Sequence, residues 1–369
     1  MSLLLDKPDA PLAQSVAHPR VRFGPVSFQV PVRAAVVSTL AAALLALLFC
    51  FDISRGEIDL PLNTVFSTLL GGGDSLSQFV VNELRLPQTG VAALVGIALG
   101  LSGALSQTFA RNPLASPDIL GISDGAAAAA VAVIVITGAG GWGAGSATGA
   151  LLDVGVPMAA LTGGLLAAAL LYVLAWRRGI DGQRLVLIGI GLGAVLTALT
   201  QWLLVKARIQ DAASAAVWLN GSLNARSWEH ARPVIIALVV LVPVAFMLVH
   251  RLNVLQLGDD PARGLGLRLQ TTQFLILLVV VVLAAVSVSA VGPLEFVAFV
   301  VPQVALRLTG GSRPPLLASM LLGGCLVVGA DIIVRVVLPF TVPAGLVTAA
   351  IGAPYLIWLL VRTKRKVTA

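Results

Sequence analysis

Apolar runs long enough to cross a lipid bilayer recur along the whole chain, with mostly short polar segments between them. A spanning helix needs about 20 apolar residues, so the chain has room for roughly ten. Only 11% of the residues are charged, against about 25% in a typical soluble domain. Aromatic residues, which form the girdles of membrane β-barrels, are scarce. The sequence therefore predicts an all-α polytopic membrane protein.

Ten membrane spans are predicted from the positions of the apolar runs. They lie at residues 34–51, 90–109, 123–138, 156–176, 185–205, 233–250, 272–291, 296–308, 316–338 and 344–361. Together they form one transmembrane domain, 34–361. An N-terminal tail, 1–33, precedes this domain, and a basic tail, 362–369, follows it.

The distribution of basic residues predicts the orientation of the chain in the membrane. With both termini inside, 17 of the 24 Lys and Arg residues fall on the inner side and 7 on the outer side. Both tails are therefore expected to be cytoplasmic. Because the basic residues are spread through the connectors, the net charge of +7 indicates membrane orientation and excludes nucleic-acid binding as its explanation.

Three connectors are longer than a tight turn requires. Residues 54–85 and 206–232 fall on the outer side and are expected to form partly ordered caps at the membrane interface. Residues 251–270 fall on the inner side and place charges around a short apolar pattern. Two interpretations of this inner connector stay open, namely a helix lying on the inner leaflet and a docking surface for a cytosolic partner.

The chain lacks the residue patterns that most catalytic sites require. No lysine follows a glycine, so the sequence has no phosphate-binding loop of the usual ATPase kind. The three histidines and two cysteines do not have the spacing of a metal site. We therefore expect no enzymatic activity, metal site or cofactor in the chain itself.

Small and charged residues inside the spans have structural interpretations. Gly189, Gly191 and Gly193 lie in an apolar span, where they indicate close helix packing rather than a nucleotide loop. Asp331 and Arg335 are four residues apart near the outer end of one span. That spacing places them on one helix face, where they could pair with each other, and a functional role for Arg335 stays open beside this pairing.

Two stretches and the inner connector resemble the FecCD-type permeases of ABC importers, the family that moves ferric siderophores, haem and cobalamin. The first stretch contains Arg85-Leu-Pro-Gln88 and Arg111-Asn-Pro-Leu-Ala115; the second contains Gly292-Pro293, Pro302-Gln303, Ala330-Asp331 and Gly352-Ala-Pro354. The connector segment 257–266 is similar to the family's coupling segment. The resemblance runs from about residue 34 to 361.

The resemblance implies a type II ABC importer permease fold in the cytoplasmic membrane of a prokaryote. It also implies a second permease subunit, identical or related, two cytosolic ABC ATPase subunits that use the ATP, and an extracytoplasmic binding protein. Three residue roles carry over. They are ATPase coupling (Gly258, Asp259, Ala262, Arg263, Gly266), binding-protein docking (Arg85, Arg335) and the cytoplasmic gate (Asn112, Leu114).

The chain departs from the pattern of that family at three positions. Gln88 replaces the second arginine of the R-L-P-R motif. Gln303 stands where many members have histidine, and Glu295 stands where glycine is common. We therefore expect the properties of the helix that follows Glu295 to differ from those of the equivalent helix in other members of that family.

The expected cargo is a ferric siderophore. Residues 217–229 resemble the W-L-x-G-S-L-N-x-R-x-W segment of siderophore members more than the equivalents of haem or cobalamin members, which remain the alternatives. We expect a pathway without charged residues, and the absence of clustered metal ligands disfavours a free metal ion. A secondary transporter and a membrane enzyme are the competing classes, but the sequence shows neither an acidic relay nor an acid–base pair.

Overall fold

Helices make up most of the computed structural model of the chain, which describes residues 20–23, 26–29, 32–56, 59–138, 155–176, 182–339 and 342–367. Strands β1 (Arg20–Phe23) and β2 (Val26–Gln29) form an antiparallel hairpin before the first helix. The helices are α1 (Val32–Ser54), α2 (Leu62–Leu69), α3 (Ser75–Ala110), α4 (Ile122–Thr137), α5 (Val156–Ala175), α6 (Gly182–Lys206), α7 (Ile209–Leu219), α8 (Trp228–Met247), α9 (Val249–Leu255), α10 (Asp259–Gly264), α11 (Leu269–Val291), α12 (Val297–Thr309), α13 (Leu316–Val337) and α14 (Ala344–Val367).

Ten of these helices coincide with the ten predicted spans: α1, α3, α4, α5, α6, α8, α11, α12, α13 and α14. Seven are long and apolar enough to cross a membrane by themselves, and the apolar parts of α4, α12 and α14 are shorter. The all-helical polytopic fold is therefore confirmed. Most of the predicted N-terminal tail, and the last two residues of the C-terminal tail, lie outside the described residues.

The largest difference from the predicted spans is at the start of α3. This helix was expected to begin near residue 90, and it begins at Ser75. A π-helical segment, Phe79–Arg85, joins its outer part to the spanning part, and Pro87 lies in the first turn after that segment. Because proline has no N–H group to donate to the preceding turn, the regular α-helical hydrogen bonding is interrupted near this residue. Part of the expected outer cap is thus an extension of a spanning helix.

The other long connectors also contain short helices. Helix α2 lies in the first outer connector and α7 in the second. In the connector predicted to lie on the inner side, α9 and α10 follow each other between α8 and α11. This connector therefore contains a helical segment that is separate from the bundle helices.

Helices α3 and α11 are buried along most of their spanning length and form the centre of the bundle. Close approach to neighbouring backbones depends on glycine. A Cβ atom at Gly96 would overlap the carbonyl oxygen of Gly323 in α13, and a Cβ atom at Gly189 would lie 2.7 Å from the carbonyl oxygen of Ile119. A Cβ atom at Gly191 would meet no atom within 4 Å. The predicted packing role is confirmed for Gly189, and Gly191 faces open space.

Substituting Gly103 by valine is expected to destabilise the bundle. A Cβ atom at this position would overlap the carbonyl oxygen of Ala298, so α3 and α12 would have to separate. We expect a loss of about 3 kcal/mol or more in the free energy of unfolding, measured as a lower thermal transition of the detergent-solubilised protein. Gly90→Ala on the same helix is the control, because its Cβ atom meets nothing within 4 Å. Equal transitions for the two variants would contradict this packing.

Candidate functional site

A cavity of about 480 Å³ lies between α4, α6, α12 and α14. Its volume is within the range of about 300–1,000 Å³ that is usual for small-molecule sites. It is lined by Ser116, Asp118, Ile119, Ser123, Asp124, Ala127, Thr197, Thr200, Gln201, Leu219, Pro293, Glu295, Phe296, Phe299 and Leu356. The wall therefore combines carboxylates, hydroxyl groups and aromatic rings.

Two of the helices that line the cavity are too short to cross a membrane alone. Helix α4 has 16 residues and α12 has 13, which at 1.5 Å per residue gives about 24 and about 20 Å. Neither reaches across a hydrocarbon core of about 30 Å. The non-helical connectors that precede them, 111–121 and 292–296, contribute lining residues to the cavity. Non-helical backbone in a membrane protein is tolerated where it lines a cavity or is buried in protein.

Three carboxylates lie on the cavity wall. Asp118 accepts a hydrogen bond from the Ser123 hydroxyl at 2.8 Å, and Asp124 accepts one from the Thr197 hydroxyl at 3.1 Å. Glu295 is exposed in the connector before α12. The residues lie far apart in sequence, and only the folding-in of the two connectors brings them to one cavity.

Asp118 lies in the connector between α3 and α4, outside the spanning helices. Burial raises the pKa of its carboxyl to about 6, the hydrogen bond from Ser123 opposes that rise, and the nearby negative charges of Glu295 and Asp124 add to it. A pKa of about 6 leaves the group mainly ionised at neutral pH.

The predicted gate residues form a tight turn immediately before the cavity wall. The side-chain oxygen of Asn112 accepts a hydrogen bond from the backbone N–H of Leu114 at 2.9 Å, which is typical of an Asx turn. Arg111 ends α3 with φ of 49°, in the left-handed region. Ser116, which lines the cavity, follows this turn closely along the chain. The turn was predictable from the motif, and its gating role stays a prediction.

The predicted coupling residues are gathered around α10. Gly258 and Gly266 flank this helix with φ of 110° and 79°, a left-handed region that favours glycine. Ala262 is fully buried and anchors α10 to the bundle, whereas Arg263 is exposed. The segment therefore has one face fixed to the membrane domain and another face free in this chain.

An ion pair joins the coupling segment to the gate turn. Arg111 Nη2 lies 2.6 Å from Asp259 Oδ1, and both side chains are less than half exposed. Sequence reasoning selected Asp259 and the residues next to Arg111 separately, but it did not predict their contact. The two residues are 148 positions apart in the sequence, so no local pattern predicts this pair.

The outer ends of α1, α3 and α13 meet in a buried polar network around Arg335. Its Nη2 atom lies 2.9 Å from Asp331, the predicted partner, and 2.5 Å from Asp52. Gln88 donates a hydrogen bond to Asp331 at 3.2 Å, and Thr89 donates one to Asp52. Sequence reasoning missed Asp52, although a carboxylate at the end of an apolar run is a signal in itself.

Arg85, the other predicted docking residue, lies beside this network. Its side chain donates a hydrogen bond to the carbonyl oxygen of Ile53 at 2.9 Å, and the residue is only 6% exposed. The side chain of Arg335 is 18% exposed. The structure therefore brings the two predicted docking residues to one end of the bundle and gives each an internal partner.

A pair of buried amides accounts for one of the three departures from the family pattern. Gln303 in α12 donates a hydrogen bond to the side-chain oxygen of Gln107 in α3 at 2.7 Å. Gln107 in turn donates one to the carbonyl oxygen of Phe299 at 2.9 Å. Because each amide has a partner, the burial of these polar groups is compensated. The pair ties the short helix α12 to the central helix α3.

Comparisons with known proteins agree with this architecture. The FecCD transport family matches residues 44–362. The chain is 36% identical to the ferric enterobactin transport system permease protein of Escherichia coli over 86% of this chain and 92% of that one. It is 35% identical to the iron(3+)-hydroxamate import system permease protein of Bacillus subtilis, over 89% and 97%. A solved metal-chelate type ABC transporter in an inward-facing conformation superposes with a TM-score of 0.75 at 25% identity, over 89% of this chain and 99% of that one.

Proposed function

Because the chain belongs to the FecCD transport family, we propose that it is the permease subunit of an ABC importer for ferric siderophores. The observation that carries this proposal is similarity over nearly the full length of permeases named for iron chelates. In this role the chain supplies the membrane pathway and the coupling surface, and the chemistry of ATP hydrolysis takes place elsewhere.

The proposed importer contains four kinds of component. A second permease subunit, identical or related, completes the pathway, two ABC ATPase subunits bind on the cytosolic side, and an extracytoplasmic protein delivers the chelate. The chain itself needs no cofactor and hydrolyses no ATP in this scheme. It is a multi-pass protein of the cytoplasmic membrane with both termini inside, an orientation supported by the excess of basic residues on the inner side.

The free face of the coupling segment supports its role in binding the ATPase. Leu257 and Leu265 are 63% and 65% exposed on either side of the exposed Arg263. Apolar side chains beside a charged one suit a partner surface better than water. Buried Ala262 holds the segment to the bundle, so a force applied at this face reaches the membrane helices.

Reversing the charge of Arg263 is expected to uncouple ATP hydrolysis from uptake. The side chain is exposed and pairs only with Asp260 at 3.4 Å among the described residues, so Arg263→Glu changes the coupling face and leaves the bundle intact. We expect uptake to fall about tenfold while membrane insertion is unchanged. The matched control is Arg268→Glu, an exposed arginine in the same inner connector. If the Arg263→Glu importer couples ATP hydrolysis to uptake as well as the wild type does, Arg263 is not a coupling residue.

Docking of the binding protein is proposed at the outer end of the bundle, near Arg85 and Arg335. Both arginines resemble positions that meet acidic residues of the binding protein in related permeases. Arg335 is partly accessible beside its carboxylate partners. The accessible part of Arg335 would offer positive charge to an acidic side chain of the partner.

The cargo is tested by uptake of radiolabelled iron in cells with and without this gene. The iron is supplied in turn as a hydroxamate siderophore, a catecholate siderophore and haem, and labelled cobalamin is the parallel control. Loss of siderophore uptake alone is the expected result. Loss of haem or cobalamin uptake instead would assign the chain to a different cargo within the family, and no loss for any of them would contradict the proposed function.

A further inference from the structure

The wall of the cavity carries negative charge from three side chains and no positive side chain among the described residues. Asp118, Asp124 and Glu295 come from the connector before α4, the first turn of α4 and the connector before α12. None of the three forms an ion pair with a described arginine, lysine or histidine. This contrasts with the outer network, where each buried carboxylate contacts Arg335.

In the proposed importer, this cavity is the candidate for the part of the pathway that this subunit contributes. It lies at the starts of two helices too short to span the membrane, and Ser116 in its wall follows the turn after α3. Interrupted helices of this kind surround substrate sites near the middle of the membrane in many transporters. A solute that passes through this cavity would meet the three carboxylates.

The two helix starts do not cancel the charge of the carboxylates. Each N-terminus contributes the equivalent of roughly half a positive charge. Two such ends together offset about one of the three carboxylates. The cavity therefore keeps a net negative potential, which is stronger in a low-dielectric wall than in water.

We propose that Asp118, Asp124 and Glu295 form a charge filter that favours cationic and neutral ferric chelates over polyanionic ones. This inference rests on the proposed function, because it names the class of chelate that the permease would carry. A ferric tris-catecholate is a trianion, a ferric trihydroxamate is neutral, and a trihydroxamate with a free amine is a cation. Like charges placed in contact repel each other, so the anion is the disfavoured cargo.

The remaining lining residues fit a chelate of the favoured kind. Phe296 and Phe299 form an edge-to-face pair with ring centroids 6.4 Å apart, and both line the cavity. Aromatic faces attract cations, and they provide apolar contact for the methylene chains of a hydroxamate. Hydroxyl groups of Thr197 and Thr200 add uncharged hydrogen-bonding partners. No cationic side chain of the described wall would offset the charge of a trianion.

Glu295 makes this selectivity specific to the chain. It stands where glycine is common in the family that the sequence resembles, and the structure places it in the cavity wall. Glycine at this position would leave the carboxylates on the α4 side alone. Permeases with the same fold and different residues here are therefore expected to differ in the charge of the chelate they carry.

The test compares the uptake of three ferric chelates labelled with radioactive iron. They are a linear trihydroxamate with a free amine, the same molecule with its amine acetylated, and a tris-catecholate. Each is given to cells that contain the complete importer with the wild-type chain, Glu295→Gln, or Asp118→Asn combined with Glu295→Gln. Glu229→Gln, an exposed carboxylate outside the cavity, is the matched control. Because all other components are identical, changes in the uptake ratio report on this chain.

We expect the wild-type chain to carry the cationic chelate best and the tris-catecholate least. The ratio of cationic to acetylated chelate should fall about tenfold in the double variant and by a smaller factor in Glu295→Gln, with no change in Glu229→Gln. Unchanged ratios, or equal wild-type uptake of the tris-catecholate, would overturn the filter and leave the proposed function standing. Absence of chain-dependent uptake for all three chelates would overturn both.

Discussion

Replacing Arg335 by alanine is expected to lower the free energy of unfolding by about 3–5 kcal/mol. The arginine lies between Asp52 and Asp331, both almost fully buried, and contacts each within 3 Å. Without it, two like charges would face each other at the outer end of the bundle. The measurement is the thermal transition of the detergent-solubilised protein, with folded yield in the membrane as a second readout.

Two control variants separate the charge of Arg335 from its size. Arg335→Lys keeps the positive charge, and we expect it to lose less stability than Arg335→Ala. Adding Asp52→Asn and Asp331→Asn to the alanine variant removes the repulsion, and should recover part of the loss. If Arg335→Ala unfolds at the wild-type temperature, the network does not stabilise the bundle. If that stable variant also fails to bind the binding protein, docking is the main role of Arg335.

Reversing one charge of the Arg111–Asp259 pair is expected to reduce uptake about tenfold, and reversing both is expected to restore it. The pair joins α10 in the coupling segment to the turn that precedes the cavity. Half-exposed ion pairs contribute less than about 1 kcal/mol to stability, so the fold should survive either change. Movement of the coupling segment, however, reaches the gate turn partly through this contact.

The double variant distinguishes a direct contact from two independent effects. Arg111→Asp suits the left-handed backbone at this position, because aspartate tolerates positive φ better than most residues. Asp259→Arg supplies the opposite charge. Restored uptake in the charge-exchanged protein, measured at equal membrane levels, is the expected result, with a coupling energy of about 0.5–3 kcal/mol. If the uptake losses of the two single variants simply add in the double variant, the pair does not transmit movement.

The number and placement of the spans could be predicted because the bilayer imposes a simple requirement. Each crossing needs an apolar helix, and each of the ten apolar runs supplies one, although α4 and α12 are too short to span alone. The start of α3 could not be predicted in the same way. Residues 75–85 are amphipathic, so hydropathy places the start of the span after them. In the structure these residues already belong to the helix, which includes a π-helical segment.

The polar contacts of the candidate site depend on long-range packing and were only partly predictable. The Asp331–Arg335 pair follows from its local spacing, whereas the contact of Arg335 with Asp52 requires α1 and α13 to be neighbours. Likewise, Glu295 was recognised as a departure from a family pattern. Its place beside Asp118 depends on two connectors that fold inward, which no local sequence pattern specifies.

The energy source of transport tests the central claim most directly. Uptake of a labelled ferric trihydroxamate is measured in cells with and without the chain, under two conditions. In one, the membrane potential and ion gradients are collapsed while ATP is maintained; in the other, ATP is depleted while the gradients are held. We predict chain-dependent uptake that persists in the first condition and stops in the second. Uptake that follows the ion gradient and survives ATP depletion would contradict an ABC importer and indicate a secondary transporter.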